Sequence, residues 1–66
     1  MKRLTPRQLE VMTWTAKGKS AADVGQILGI SMHTVNFHKK EAMARLGCAS
    51  QVTACCVLTR DGEISL

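Results

Sequence analysis

The stretch Thr34-Val35-Asn36-Phe37-His38-Lys39-Lys40 gathers side chains that match the edges and the backbone of a nucleic-acid duplex. Val35, Ala42 and Leu46 recur at the spacing of one helix face, so they are expected to pack inward. The opposite face then carries Thr34, Asn36, Phe37 and Lys40, flanked by His33, Lys39 and Arg45. An α-helix fits the DNA major groove, where Asn pairs bidentately with adenine, Lys reaches guanine O6 and N7, and an apolar side chain meets a thymine methyl. Asn36, Lys40 and Phe37 offer those three functions in turn. Thr34, Lys39 and the N–H groups of the first turn suit phosphates, because a helix N-terminus carries partial positive charge and unpaired donors. Arg45 joins them, and His38, at the border of the packed stripe, reads as a structural histidine within reach of a phosphate. Lys19 and Ser20 form a second phosphate clamp.

Taken singly, each of these residues also has a plainer reading. Lys39 and Lys40 alone describe a solvated helix face, and Phe37 alone describes core. A second aromatic beside Val35 would, however, have to share one small core with Trp14, which itself belongs to the core or to a seam with a neighbouring domain.

Other chemistries find little support. Three cysteines, Cys48, Cys55 and Cys56, cannot pair completely, no C-x-x-C is present, and His33 and His38 lie five apart rather than one helical turn. No metal or cofactor is expected, and a reduced, cytoplasmic setting fits. A cavity able to enclose a substrate would consume much of the apolar material in 66 residues, so an enzyme is disfavoured. One Trp, one Phe and no Tyr leave no stacking platform for single strands. The start Met1-Lys2-Arg3-Leu4 is basic, but no apolar segment follows it and no run approaches a membrane span of about 20 residues. A soluble domain without membrane or small-molecule partner is expected.

The formal charge of +4 leans toward a polyanion, and its distribution is informative. Residues 1–19 carry five cations against Glu10, and residues 31–47 carry three against Glu41, whereas residues 48–66 set Arg60 against Asp61 and Glu63.

The elements that must position these groups are marked by recurring punctuation. Thr5, Ser20, Ser31 and Ser50 are each suited to accept a hydrogen bond from the first turn of a helix. Pro6 suits a first helical position and Gln8 completes a capping box with Thr5, predicting a helix over about 6–16 that ends near Gly18. Ser20 with Asp23 opens a second helix of about two turns, whose face is Val24, Ile27 and Leu28 and whose stop is Gly29. A third runs about 32–46 to Gly47, and a fourth about 51–60 with Gly62 beyond. The expected fold is all-α, four-helix (tetrahelical), with helices two and three joined by Gly29-Ile30-Ser31, a turn that fits a helix-turn-helix.

Leu4-Thr5-Pro6-Arg7, Glu10-Val11-Met12, Gly18-Lys19-Ser20, Leu28-Gly29-Ile30-Ser31, Thr34-Val35-Asn36-Phe37-His38, Leu46-Gly47 and Ser50 resemble the C-terminal DNA-binding domain of LuxR-type regulators, over nearly the whole chain. Trp14-Thr15-Ala16 and Val35-Asn36-Phe37-His38 look most like the acyl-homoserine-lactone, quorum-sensing branch. The resemblance implies transcription regulation by a homodimer on a palindromic site, with RNA polymerase or full-length LuxR-type regulators as further partners. Its base-reading positions fall on Asn36, Phe37 and Lys40, and its backbone positions on Lys19, Ser20, Thr34 and Lys39. Its dimer contacts come from the last helix, where Ala54 and Leu58 are expected to pack inward while Val52, Cys56 and Thr59 meet a symmetry mate; core is the alternative for Val52 and Cys56.

Departures from the family pattern stand at Gln8, Gly25, Glu41 and Gln51, where Glu, Ala, Asn and Arg are common. A carboxylate at 41 would repel phosphate or accept from a cytosine amine. The signal-binding domain of such regulators has no counterpart in residues 1–66, which suits either an excised effector domain or a short stand-alone protein.

Two other readings compete. Region four of a sigma factor shares the opening motif and the Gly-Ile-Ser turn but needs no fourth helix, so the apolar content of residues 51–58 argues against it. A protein-interaction module using the last helix alone would not gather positive charge away from that helix.

Overall fold

Hydroxyl side chains open every helix of the computed structural model, which describes residues 4–63; the basic Lys2 and Arg3 lie outside them. Thr5, Ser20, Ser31 and Ser50 precede α1 (Pro6–Ala16), α2 (Ala21–Leu28), α3 (Met32–Leu46) and α4 (Gln51–Arg60), and each accepts from the N–H three residues on. The caps and limits expected from the sequence therefore recur in the fold. At α1 the box closes in both directions: Gln8 N–H donates to Thr5 Oγ1 at 3.2 Å, and Thr5 N–H donates to Gln8 Oε1 at 3.0 Å. Gln8 thus preserves the cap with an amide in place of a carboxylate.

The described residues form two hydrophobic clusters rather than one core. Val11, Val24 and Val35 join α1, α2 and α3, with Trp14, Leu28 and Ile30 packed around them. Met12, Ala42, Ala54 and Leu58 join α1, α3 and α4, with Leu9, Met43 and Leu46 at the margin. Consecutive residues of α1, Val11 and Met12, feed the two clusters, and α3 runs through both by way of Val35 and Ala42. Burying each large aliphatic side chain contributes roughly 1.5–3 kcal/mol, so α3 is held at two points along its length.

The connection from α2 to α3 turns on two glycines. Gly29 adopts a left-handed conformation at φ 72°, and Ile30 N–H returns to the Gly25 carbonyl at 2.9 Å, closing α2 as a Schellman-type end. Gly25 is buried, and a Cβ built on it would stand 2.6 Å from the Ile30 carbonyl oxygen. The missing side chain lets the turn fold back over α2, which decides the approach of α3.

One expected core position is otherwise. Spacing groups Ile27 with Val24 and Leu28, yet it is 45% exposed. The inward face of α2 is set by Ala21, Val24, Gly25 and Leu28, because Gly25 must face the turn; Ile27 falls beyond the edge of that face.

Candidate nucleic-acid interface

Ser31 fixes the start of α3 twice over. Thr34 N–H donates to Ser31 Oγ at 3.1 Å, and the Ser31 and Thr34 hydroxyls pair at 2.9 Å. Val35 and Ala42 are buried and Leu46 is half-buried, as the spacing requires, and the far side of the helix faces out. Asn36, Phe37 and Lys40 are exposed there, Phe37 by 58%. Phe37 is therefore not core. Its ring meets that of half-buried His38 edge-on, with centroids 5.9 Å apart and planes at 63°. The Asn36 amide and the Lys40 ammonium make no hydrogen bond or ion pair with any described residue. A row of polar groups left unpartnered along a helix can hydrogen-bond an outside partner with no internal contact to break.

The outward stripe extends one residue further than sequence reasoning placed it. Ala44, two turns after Phe37, is exposed on the same face as His33, which precedes Phe37 by one turn. Continuing the series His33, Phe37, Lys40 by four residues finds it.

Lys39 is placed differently from its expected neighbours. It follows Val35 by four residues and precedes Ala42 by three, so its backbone sits on the packed stripe, and the side chain is half-buried. Its charge acts on Cys55 of α4, where it partly offsets the upward push on that thiol from burial and from neighbouring Cys56. Lys39 thus lies toward α4 rather than beside Asn36 and Lys40.

The remaining cationic and hydroxyl groups frame the stripe. Lys19 and Ser20 are exposed at the start of α2, where Ser20 Oγ accepts from Asp23 N–H at 3.2 Å. Thr34 is half-buried with its hydroxyl held by Ser31, and Arg45 is exposed in the last turn of α3, where a cation suits the helix C-terminus. Trp14 sits at the rim of the valine cluster with Lys17 Nζ 5.3 Å from its ring centroid, a cation–π contact.

On α4, Ala54 and Leu58 are buried, while Val52 (71% exposed), Cys56 and Thr59 face outward, so the core alternative for Val52 and Cys56 does not hold. The Thr59 hydroxyl donates to the Cys55 carbonyl at 2.8 Å within the helix. An open, apolar groove of about 410 Å³ runs beside this face, lined by Ala16, Cys55, Cys56, Thr59 and Arg60. No single helix among the described residues is long and apolar enough to cross a membrane.

Four helices, a three-residue turn between the second and third, and a third helix held from one side while its polar face stands free define a tetrahelical helix-turn-helix domain. The same arrangement recurs in the transcription factor GerE, with a TM-score of 0.90 at 32% identity over 94% of this chain and 92% of that one. It recurs again in Escherichia coli SdiA, with a TM-score of 0.88 over 94% of this chain and 26% of that one, also at 32% identity.

The chain belongs to the LuxR family of bacterial regulatory proteins, whose profile matches residues 2–58, and carries that family's DNA-binding helix-turn-helix. Similar proteins include the transcriptional activator SolR of Ralstonia solanacearum, 47% identical over 77% of this chain and 22% of SolR. The quorum sensing-dependent transcriptional regulator RpaR of Rhodopseudomonas palustris is 44% identical over 79% of this chain and 21% of its own length. The chain thus spans about a fifth of these relatives.

Proposed function

We propose that α3 lies in the major groove, with Asn36, Phe37 and Lys40 reading base edges, and that two copies bind a palindromic site through their α4 helices. Lys19, Ser20, Thr34, His38 and Arg45 hold the phosphate backbone, and Lys39 reaches it through its four-carbon stem from beside α4. The observation that carries this reading is the exposed set of Asn36, Phe37 and Lys40 on the one face of α3 that no other described residue covers. Val52, Cys56 and Thr59 supply an uncharged, exposed stripe for the second copy. The domain acts in the cytoplasm in quorum-sensing type regulation, with RNA polymerase or full-length LuxR-type regulators as protein partners.

The decisive experiment selects bound sequences from a random duplex pool and titrates the winner by fluorescence anisotropy at two salt concentrations. A palindromic consensus with half-sites about one helical turn apart, bound with a steep loss of affinity at the higher salt, is expected. Affinity that ignores salt removes the phosphate contacts from the scheme, and a consensus without two-fold symmetry removes the dimer.

A further inference from the structure

Glu41 directly follows Lys40 and stands one turn beyond Phe37, at the edge of the outward stripe of α3. It is half-buried, and it accepts no hydrogen bond and joins no ion pair with any described residue. A carboxylate brought against a polyanion raises the free energy of the complex unless a donor meets it. In the major groove the only donors are the amino groups of cytosine and adenine; guanine O6 and N7 and thymine O4 are acceptors, which repel a carboxylate. The adenine amine has the N7 acceptor beside it, so it suits an amide that both donates and accepts, whereas an ionised carboxylate only accepts. Cytosine N4 is the remaining match.

We infer that Glu41 is a specificity-determining residue that accepts from the N4 amine of a cytosine in each half-site, and that its charge weakens binding to duplexes lacking that cytosine. The inference rests on the groove placement of α3 proposed above. Lys40 and Glu41 then form an adjacent cation and anion that address guanine and cytosine respectively, so the helix reads opposite hydrogen-bonding characters at neighbouring positions.

Selection from a random duplex pool, run in parallel with the unaltered chain, Glu41→Gln and Glu41→Ala, tests this. The unaltered chain enriches a cytosine at one position of each half-site. Glu41→Ala loses that preference while keeping those set by Asn36 and Lys40, and it binds random duplex severalfold more tightly. Glu41→Gln moves the preference from cytosine toward adenine, a switch that a purely structural role does not produce. Replacing the selected cytosine by N4-methylcytosine, whose remaining N4–H pairs with guanine while the methyl group takes the groove-facing position, weakens the unaltered chain about tenfold, the size of one good base contact, and affects Glu41→Ala much less. Identical consensus sequences for all three proteins, or a uniform tightening on every duplex, overturn the inference while leaving the groove reading intact. Failure of all three to bind any duplex overturns the groove reading, and this inference with it. Circular dichroism confirms equal helix content in the variants.

Discussion

The outward faces of α3 and α4 stand on the same cluster, since Met12 and Ala42 pack against Ala54 and Leu58, yet they differ in every property that selects a partner. The face of α3 presents an amide, an ammonium and one aromatic ring, with further cations at its margins. That of α4 presents Val52, Cys56 and Thr59, which carry no charge. A polyanion is attracted to the first and gains nothing from the second, whereas a second copy of the chain would meet repulsion between cations at the first and none at the second. One small scaffold thus separates two surfaces by charge, with α3 itself as the partition: Val35 and Ala42 look inward while Asn36 and Lys40 look out.

The contrast breaks most severely if the support of α3 fails. Gly25→Val forces methyl groups into the space where the Ile30 carbonyl already stands 2.6 Å from a notional Cβ. We expect a loss of about 3 kcal/mol in thermal or urea unfolding, the scale of overpacking a tight site, and loss of binding to all duplexes. A variant as stable as the parent would show that the turn has room the packing denies.

Single readers come next. Asn36→Ala or Lys40→Ala is expected to cost about 1–3 kcal/mol at the selected site and little on random DNA, whereas Lys19→Ala weakens both alike. Anisotropy titration on the two duplexes measures the split, and equal losses on both for all three variants erase the division between readers and clamps. On the other face, Val52→Glu puts a charge at a position 71% exposed, so the fold is unaffected. Affinity for the palindrome falls about tenfold through lost linkage between the two copies, while a single half-site binds as before. An equal fall on both duplexes moves α4 from the dimer seam to the DNA.

How far these surfaces were legible in the sequence depends on the range of the forces involved. Helix limits were legible because Thr5, Ser20, Ser31 and Ser50 act on the turn immediately following, and Gly29 and Gly47 act at the turn just ended. The exposed trio of α3 was legible because periodicity alone puts Asn36, Phe37 and Lys40 opposite Val35 and Ala42. The place of Ile27 is not legible because the close approach at Gly25, a tertiary contact, turns the inward face of α2 onto Ala21, Val24, Gly25 and Leu28 and away from Ile27. The charge of Lys39 suggests a place beside Lys40, whereas its spacing of four from Val35 puts it on the packed side. The division of the core at Val11 and Met12 has no local signature, since two adjacent apolar residues look alike until α2 and α4 are in place.

The finest distinction falls between neighbours on α4. Cys55 is half-buried and Cys56 exposed, and burial pushes the Cys55 thiol above its usual range, an effect that Cys56 adds to and Lys39 partly opposes. Only the thiolate attacks an alkylating reagent. Near neutral pH the raised thiol of Cys55 holds its proton, so a maleimide followed by mass spectrometry labels Cys56 first, by a few-fold in rate. The gap narrows as pH rises into the raised range of Cys55, where its own thiolate fraction grows. Palindromic duplex adds the second condition. If two copies join through Val52, Cys56 and Thr59, the palindrome shields Cys56 from the reagent and a single half-site does not, because only the former holds a second α4 against the first. Equal labelling of Cys56 on both duplexes leaves the uncharged face of α4 open to solvent in the complex, and the contrast between the two helices would then be one of DNA contact alone.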